Sequence, residues 1–209
     1  MGFYPLLLEL EGRRVVVVGG GVVGERKVEG LLAVGAAVIV VSPEVTPGLR
    51  AHAEAGRIAL LERPYREGDL DGAALIFTAL DDPRATAVVA ADALRGGIWL
   101  NAADDPRYCS FILPAVVRRG PLTIAVASGG ATPALTRALR EHLEEALGPE
   151  WGTLAELAAE ARRELRARGG GADGETWRRA LAADVRALVA ERRLDEARRE
   201  LRARLAMPV

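Results

Sequence analysis

Arg14-Val-Val-Val-Val-Gly-Gly-Gly-Val-Val-Gly-Glu-Arg-Lys27 decides how the rest of the chain is read. Four consecutive valines, Val15 to Val18, are apolar on both faces, as a central parallel strand covered above and below must be. The run breaks into Gly19-x-Gly21-x-x-Gly24 and resumes at helical spacing with Val28, Leu31 and Leu32 on one face. Gly35 stands where a helix C-cap belongs, and Ala36 to Val41 is a second apolar run. Strand, glycine turn, helix and strand in this order form the context that gives a dinucleotide fingerprint its meaning. Gly19 and Gly21 are expected to make the tight turn and let backbone approach a diphosphate. Val22 and Val23 open the helix whose N–H groups face it, and Gly24 lets that helix lie close to the strand.

The second strand ends in Ser42-Pro43-Glu44, where the ribose-binding acid of such folds falls. Because the strand terminus is Ser-Pro, the adenosine ribose is expected to meet backbone and Ser42 rather than a clean carboxylate, with Ser42, Pro43 and Glu44 as the candidate residues there. No arginine follows directly to receive a 2′-phosphate, which favours NAD over NADP.

Further strands are predicted over 57–61, 74–79 and 98–101, with a short helix over 47–56. Asp81-Asp82-Pro83 opens an alanine-rich helix that closes at Gly96-Gly97. Five apolar strands with intervening helices predict an α/β fold, a Rossmann-type doubly wound parallel sheet. Ligands of such sheets bind beyond the carboxyl ends of the strands, so Thr78, Asn101 and Asp104 join Gly19 to Gly24 as site candidates. The lead-in Phe3 to Leu10 is expected to pack on the first strand or supply a sheet edge.

From Cys109 the character changes. Residues 111–117 and 122–127 flank Arg118-Arg-Gly-Pro121, which predicts an antiparallel hairpin. Two strands alone are marginal in water, so the hairpin is expected to extend the sheet or pair with another subunit, giving a homodimer. Ser128-Gly-Gly-Ala-Thr-Pro133 then opens a helix with Thr132 as N-cap and Pro133 at its first position. The exposed N–H groups and the Ser128 hydroxyl form a ready anion site, and Arg137 and Arg140 share a helix face that could receive carboxylates. A simple capped helix with solvated arginines accounts for the same residues. The remainder predicts helices, with Leu154, Leu157, Ala161 and Leu165 as one stripe and Trp177, Leu181, Val185 and Leu188 as another. Glu164–Arg168 and Glu200–Arg204 are expected to pair, and Gly169 to Gly174 to be the one break. The expected segments are a cofactor-binding domain over 1–113, a dimerisation segment over 114–148 and a helical domain over 149–209.

Composition narrows the class. With 209 residues the chain can bury one sizeable core or a core plus an appendage, and its net charge of −1 gives no general attraction to nucleic acid. No apolar run approaches the ~20 residues of a membrane span, and no leader-like stretch precedes Pro5, so no membrane association is expected. A single cysteine, Cys109, excludes an internal disulfide and fits a reducing cytoplasm. Of 28 basic residues only Lys27 is lysine, glutamine is absent, and Asn101 is the one asparagine. Such avoidance of amides suits a thermophile and singles out Lys27 and Asn101. His52 and His142 lie far apart, and no metal-ligand cluster is predicted.

Gly19-Gly-Gly-Val-Val-Gly-Glu-Arg-Lys27, Asn101-Ala-Ala-Asp-Asp-Pro106, Phe111-Ile-Leu-Pro114 and Ser128-Gly-Gly-x-x-Pro133, in this order and spacing, resemble the precorrin-2 dehydrogenase family. That family includes the N-terminal module of bacterial sirohaem synthase. The resemblance runs from about Phe3 to about Gly148 and implies NAD-dependent oxidation of precorrin-2 to sirohydrochlorin. In some members ferrous-ion insertion to sirohaem follows. Asp104 matches the family's catalytic aspartate, with Asp105 as the turn residue. The substrate's rim of carboxylates makes Lys27, Ser128, Thr132 and Arg137 candidate clamps. A methyltransferase, fused in some relatives, is not expected here. Two other readings compete: a non-catalytic NAD-sensing module, which leaves Asn101 to Pro106 and Ser128 to Pro133 without a task, and a chelatase indifferent to NAD.

Overall fold

The structure, a computed structural model, describes residues 2–103 and 105–207. Two compact units divide the chain, Met1–Ile112 and Leu113–Val209. In the first, strands β1 (Arg14–Gly20), β2 (Ala37–Val45), β3 (Ala59–Leu61), β4 (Leu75–Thr78) and β5 (Trp99–Ala102) pair in the order β3-β2-β1-β4-β5, every pair parallel. Helices α1 (Val22–Leu32), α2 (Pro47–Glu54) and α3 (Pro83–Arg95) complete the unit.

β1 sits at the centre because Val15 to Val18 can be buried on both sides, and each is at most 1% exposed. Alternation sends Val15 and Val17 into a core with Val28, Leu31, Val40 and Phe77. Val16 and Val18 enter a second core with Val41, Ile76, Val89 and Leu100. Strand order reverses at β1, and Val18 lies level with Thr78 on β4, which is level with Ala102 on β5. The carboxyl ends of β1 and β4 therefore border the crevice where such sheets bind ligands.

Two expectations for this unit are revised. β2 continues through Ser42-Pro43-Glu44 to Val45, because Gly20 pairs with Val45 after the ladder skips the stretch where Pro43 has no N–H to donate. The lead-in is no sheet edge: residues 2–10 form no strand, Tyr4 and Leu7 are exposed, and Leu10 alone of the stretch packs on the core. A turn closed by Arg13 N–H to the Leu10 carbonyl, 2.9 Å, separates it from β1.

In the second unit β6 (Ala115–Arg119) and β7 (Leu122–Val126) form a two-stranded antiparallel sheet of their own. Five helices follow, α4 (Pro133–Ala146), α5 (Glu150–Ala167), α6 (Gly174–Ala180), α7 (Ala183–Ala190) and α8 (Leu194–Arg204). The hairpin and all five helices belong to this one unit. A Cβ at Gly152 of α5 would lie within 3.0 Å of the Arg119 and Gly120 backbone, so α5 packs directly on the hairpin turn. The Arg119 guanidinium donates to the Glu144 and Leu147 carbonyls, both at 2.7 Å, and so satisfies the end of α4.

Leu154, Leu157 and Ala161 of α5 pack with Val185 and Val189 of α7 and Leu201 of α8. The stripe from Trp177 to Leu188 is divided between α6 and α7 by a bend at Leu181 and Ala182. Glu164 is drawn to Arg202 of α8 at 3.0 Å instead of Arg168, whereas Glu200–Arg204 forms at 2.8 Å. No helix among the described residues is long and apolar enough to cross a membrane.

Candidate functional site

Each glycine of the fingerprint has its own physical reason. Gly19 has φ +115°, a conformation side chains rarely adopt, and a Cβ there would overlap the Ala79 carbonyl just beyond β4. A Cβ at Gly24 would overlap the Gly19 carbonyl, so α1 approaches β1 as closely as backbone permits. Gly21 differs: its φ of −77° suits any residue, and nothing lies within 4 Å of where its Cβ would stand. Gly21 is the N-cap of α1 without a side-chain cap, and the first helical bond is Glu25 N–H to the Gly21 carbonyl at 2.9 Å. The N–H groups of Val22, Val23 and Gly24 precede that bond and are directed to the open side of the turn. Val22 and Val23 are themselves exposed around it.

Gly20, to which the sequence reading gave no separate task, has a packing reason of its own. A Cβ there would overlap the Glu44 carbonyl, which brings the end of β2 onto the glycine turn. The triple glycine was the available signal. Ser42 is buried and its hydroxyl donates to the Glu44 carbonyl at 2.6 Å, so it shapes the strand end. Pro43 and Glu44 are exposed there.

At the end of β4, Thr78 is 2% exposed and its hydroxyl has no hydrogen-bond partner. Asn101 of β5 is buried and its amide donates to the Phe111 carbonyl at 3.0 Å and towards the Cys109 sulfur at 3.7 Å. The Cys109 thiol donates to the Ala102 carbonyl and accepts from the Ala102 N–H, both at 3.3 Å. Asn101 and Cys109 thus latch the segment after β5 back onto the strand, and Cys109 is a second residue whose part the sequence did not reveal. Ala103 N–H donates to the Thr78 carbonyl at 2.8 Å, tying that segment to β4. Asp104 lies outside the described residues. Asp105 caps a short 3-10 turn, Pro106–Tyr108, and accepts Arg107 Nε and Nη2 at 2.9 and 2.7 Å. The guanidinium holds its carboxyl below the usual range, as expected for a turn residue.

The candidate clamps are differently placed. Lys27 carries its ammonium 5.8 Å above the Phe77 ring, which meets Phe111 edge-on at 5.6 Å. In the second unit the Ser128 hydroxyl accepts the Thr132 N–H at 3.0 Å. Thr132 occupies the N-cap position of α4 but its side chain makes no cap bond, so the expected cap is not formed, and the Ser128 contact closes the turn ahead of the helix. Arg137 is exposed on α4, whereas Arg140 is engaged by Glu141 and Glu144. The first unit thus sets Gly19 to Gly24 against the end of β2 and the residue after β4, whereas alternation turns the Thr78 and Asn101 side chains to opposite faces of the sheet; the second unit brings together Ser128 and Thr132.

A dinucleotide fits the first group. The turn is open where a diphosphate would lie, N–H groups line it, and a buried hydroxyl stands without a partner at the adjoining strand end.

Comparison with known proteins agrees. Residues 6–115, just over half of the chain, match the family model described as "Putative NAD(P)-binding", and residues 119–146 match "Sirohaem biosynthesis protein central". Siroheme synthase of Azotobacter vinelandii is 41% identical over 166 residues, 79% of this chain and 36% of that protein. Siroheme synthase 1 of Aeromonas salmonicida is 39% identical over 186 residues, 88% of this chain and 40% of that protein. The chain therefore spans well under half the length of these relatives. A solved structure of SirC, precorrin-2 dehydrogenase, shares the fold with a TM-score of 0.76 at 24% identity, covering 96% of this chain and 100% of that one. With its glycine turn, its strand order and the match over residues 6–115, the chain belongs to the NAD(P)-binding family.

Proposed function

We propose that the chain is a dehydrogenase that oxidises precorrin-2 to sirohydrochlorin with NAD, and that the product then accepts ferrous ion as a second substrate. One observation carries the reading: the glycine turn, open at Gly21, stands at the carboxyl end of β1 beside the end of β4, where the Thr78 carbonyl receives the Ala103 N–H of the segment following β5. The similarity to siroheme synthases over four-fifths of the chain supports the substrate class. In this reading Gly19, Gly21, Val22, Val23 and Gly24 hold the diphosphate, while Ser42, Pro43 and Glu44 border the ribose. The strand ends at Thr78 and Asn101 border the rest of the cofactor.

NAD supplies the acceptor for the hydride that leaves the reduced macrocycle. Asp104 is the base that takes the accompanying proton. Lys27, Ser128, Thr132 and Arg137 are the proposed partners of the substrate's carboxylates. Asp104 would serve again as ferrous ion displaces the pyrrole protons.

The working form in this reading is a homodimer joined through residues 114–148. α4 supports this: it buries no residue within the chain, and Leu135 and Leu139 are exposed along it. A cytoplasmic location fits the lone thiol, and a thermophilic source fits the near-absence of amides and lysine. The test is absorbance of freshly made precorrin-2 with the full chain. Sirohydrochlorin should appear only when NAD is added, and its spectrum should then decay with ferrous or cobaltous ion faster than without protein. Product formation independent of NAD contradicts the dehydrogenase, and metal insertion at the protein-free rate contradicts the chelatase.

A further inference from the structure

Gly48 is the second residue of α2, and a Cβ there would overlap the Glu25 carboxylate. Glu25, in the first turn of α1, therefore lays its side chain on the Gly48 backbone. The contact joins the helix that starts at the glycine turn to the junction following β2. In doubly wound dinucleotide folds these elements border the diphosphate and the adenosine ribose. The carboxylate is held where the amino end of α2 favours negative charge, next to the cap formed by Leu49 N–H and the Thr46 hydroxyl at 3.2 Å.

A second carboxylate, Glu44, is exposed at the end of β2. The first cationic side chain after β2 is Arg50, and its Nη1 lies 2.8 Å from Glu62 Oε1. An unmodified ribose offers hydroxyls that carboxylates can accept. A 2′-phosphate would instead bring its negative charge against Glu25 and Glu44, with Arg50 already paired.

We propose that Glu25, seated on Gly48, is the residue that discriminates against the 2′-phosphorylated dinucleotide. The assignment rests on the dinucleotide reading above and adds to it the group that sets cofactor choice. Like charges about 6 Å apart near a surface can change a binding constant by roughly ten- to a hundredfold.

The test is calorimetric titration of the full-length protein, Glu25→Gln and Gly48→Ala with NAD and with NADP. Glu25→Gln removes the charge and keeps the shape. Gly48→Ala keeps the charge and pushes the flexible carboxylate off the α2 backbone. The ratio of NADP to NAD dissociation constants should fall at least about tenfold in both. An unchanged ratio in Glu25→Gln overturns the assignment, and Gly48→Ala decides in the same way if Glu25→Gln does not fold. A wild-type protein that binds NADP as tightly as NAD also overturns it. Wild-type protein that binds neither overturns the dinucleotide reading along with it.

Discussion

Replacing Gly21 by alanine separates the cofactor role of the turn from its structural role. Gly21 has φ −77° and open space where a Cβ would stand, so the folded chain accepts alanine without strain. Alanine is a poorer N-cap than glycine, at a cost of up to about 1 kcal/mol, partly offset by a less flexible unfolded chain. For a protein of this size that is a melting shift of a few degrees, about 2–4 °C. The new methyl group stands where a diphosphate must approach the N–H groups of α1. Losing one charge-assisted contact of about 1.5–3 kcal/mol weakens binding roughly 10- to 100-fold. Gly19→Ala is the contrast: its left-handed φ and the overlap with the Ala79 backbone should cost about 2–5 kcal/mol of stability. Calorimetric titration with NAD and thermal melting of both variants check this. Wild-type NAD affinity in Gly21→Ala, or wild-type stability in Gly19→Ala, refutes the division of labour.

Three further outcomes follow from the second unit. Leu201, 1% exposed in the helical core, should cost about 2–5 kcal/mol when cut to alanine, read as urea unfolding; a loss below about 1 kcal/mol contradicts that core. Asp184 accepts the Arg204 guanidinium, which holds its carboxyl down at about 2. Its folded value lies below the unfolded one, so the stabilisation is complete above about pH 4 and is lost as pH falls towards 2. The gap in unfolding midpoint between wild type and Asp184→Asn should therefore narrow from pH 7 to pH 2, and a pH-independent gap contradicts it. Leu139→Glu on the exposed face of α4 should convert the proposed dimer to a monomer by light scattering; a monomeric wild type contradicts the dimer.

The central part of the fold was legible because each signal there is local. Val15 to Val18 require burial on two faces, and Gly19 and Gly24 after them stand where other residues would clash with backbone. Asp82-Pro83 starts α3, with the Asp82 carboxylate accepting Arg84 N–H at 2.8 Å. What was not legible depends on tertiary partners. β2 runs past Pro43 because Gly20 receives it, and Ser42 turns its hydroxyl to Glu44 instead of outward. The helical tail breaks at Ala182 and at Arg192, which has φ +60°, without a glycine or proline to signal either. Lys27, singled out by composition, lies over Phe77, a neighbour 50 residues away that spacing cannot reveal. Gly152 reads as a helix-weakening residue until the hairpin turn is seen against it.

The proposed dehydrogenation rests on the Asp104 carboxylate, and Asp104→Ala measures its part most directly. NADH formation from freshly made precorrin-2 should slow roughly a hundredfold or more, while calorimetry shows NAD still bound. Undiminished turnover in Asp104→Ala would contradict the account, and so would a wild-type protein that binds NAD and never reduces it in the presence of precorrin-2, as a sensor module would.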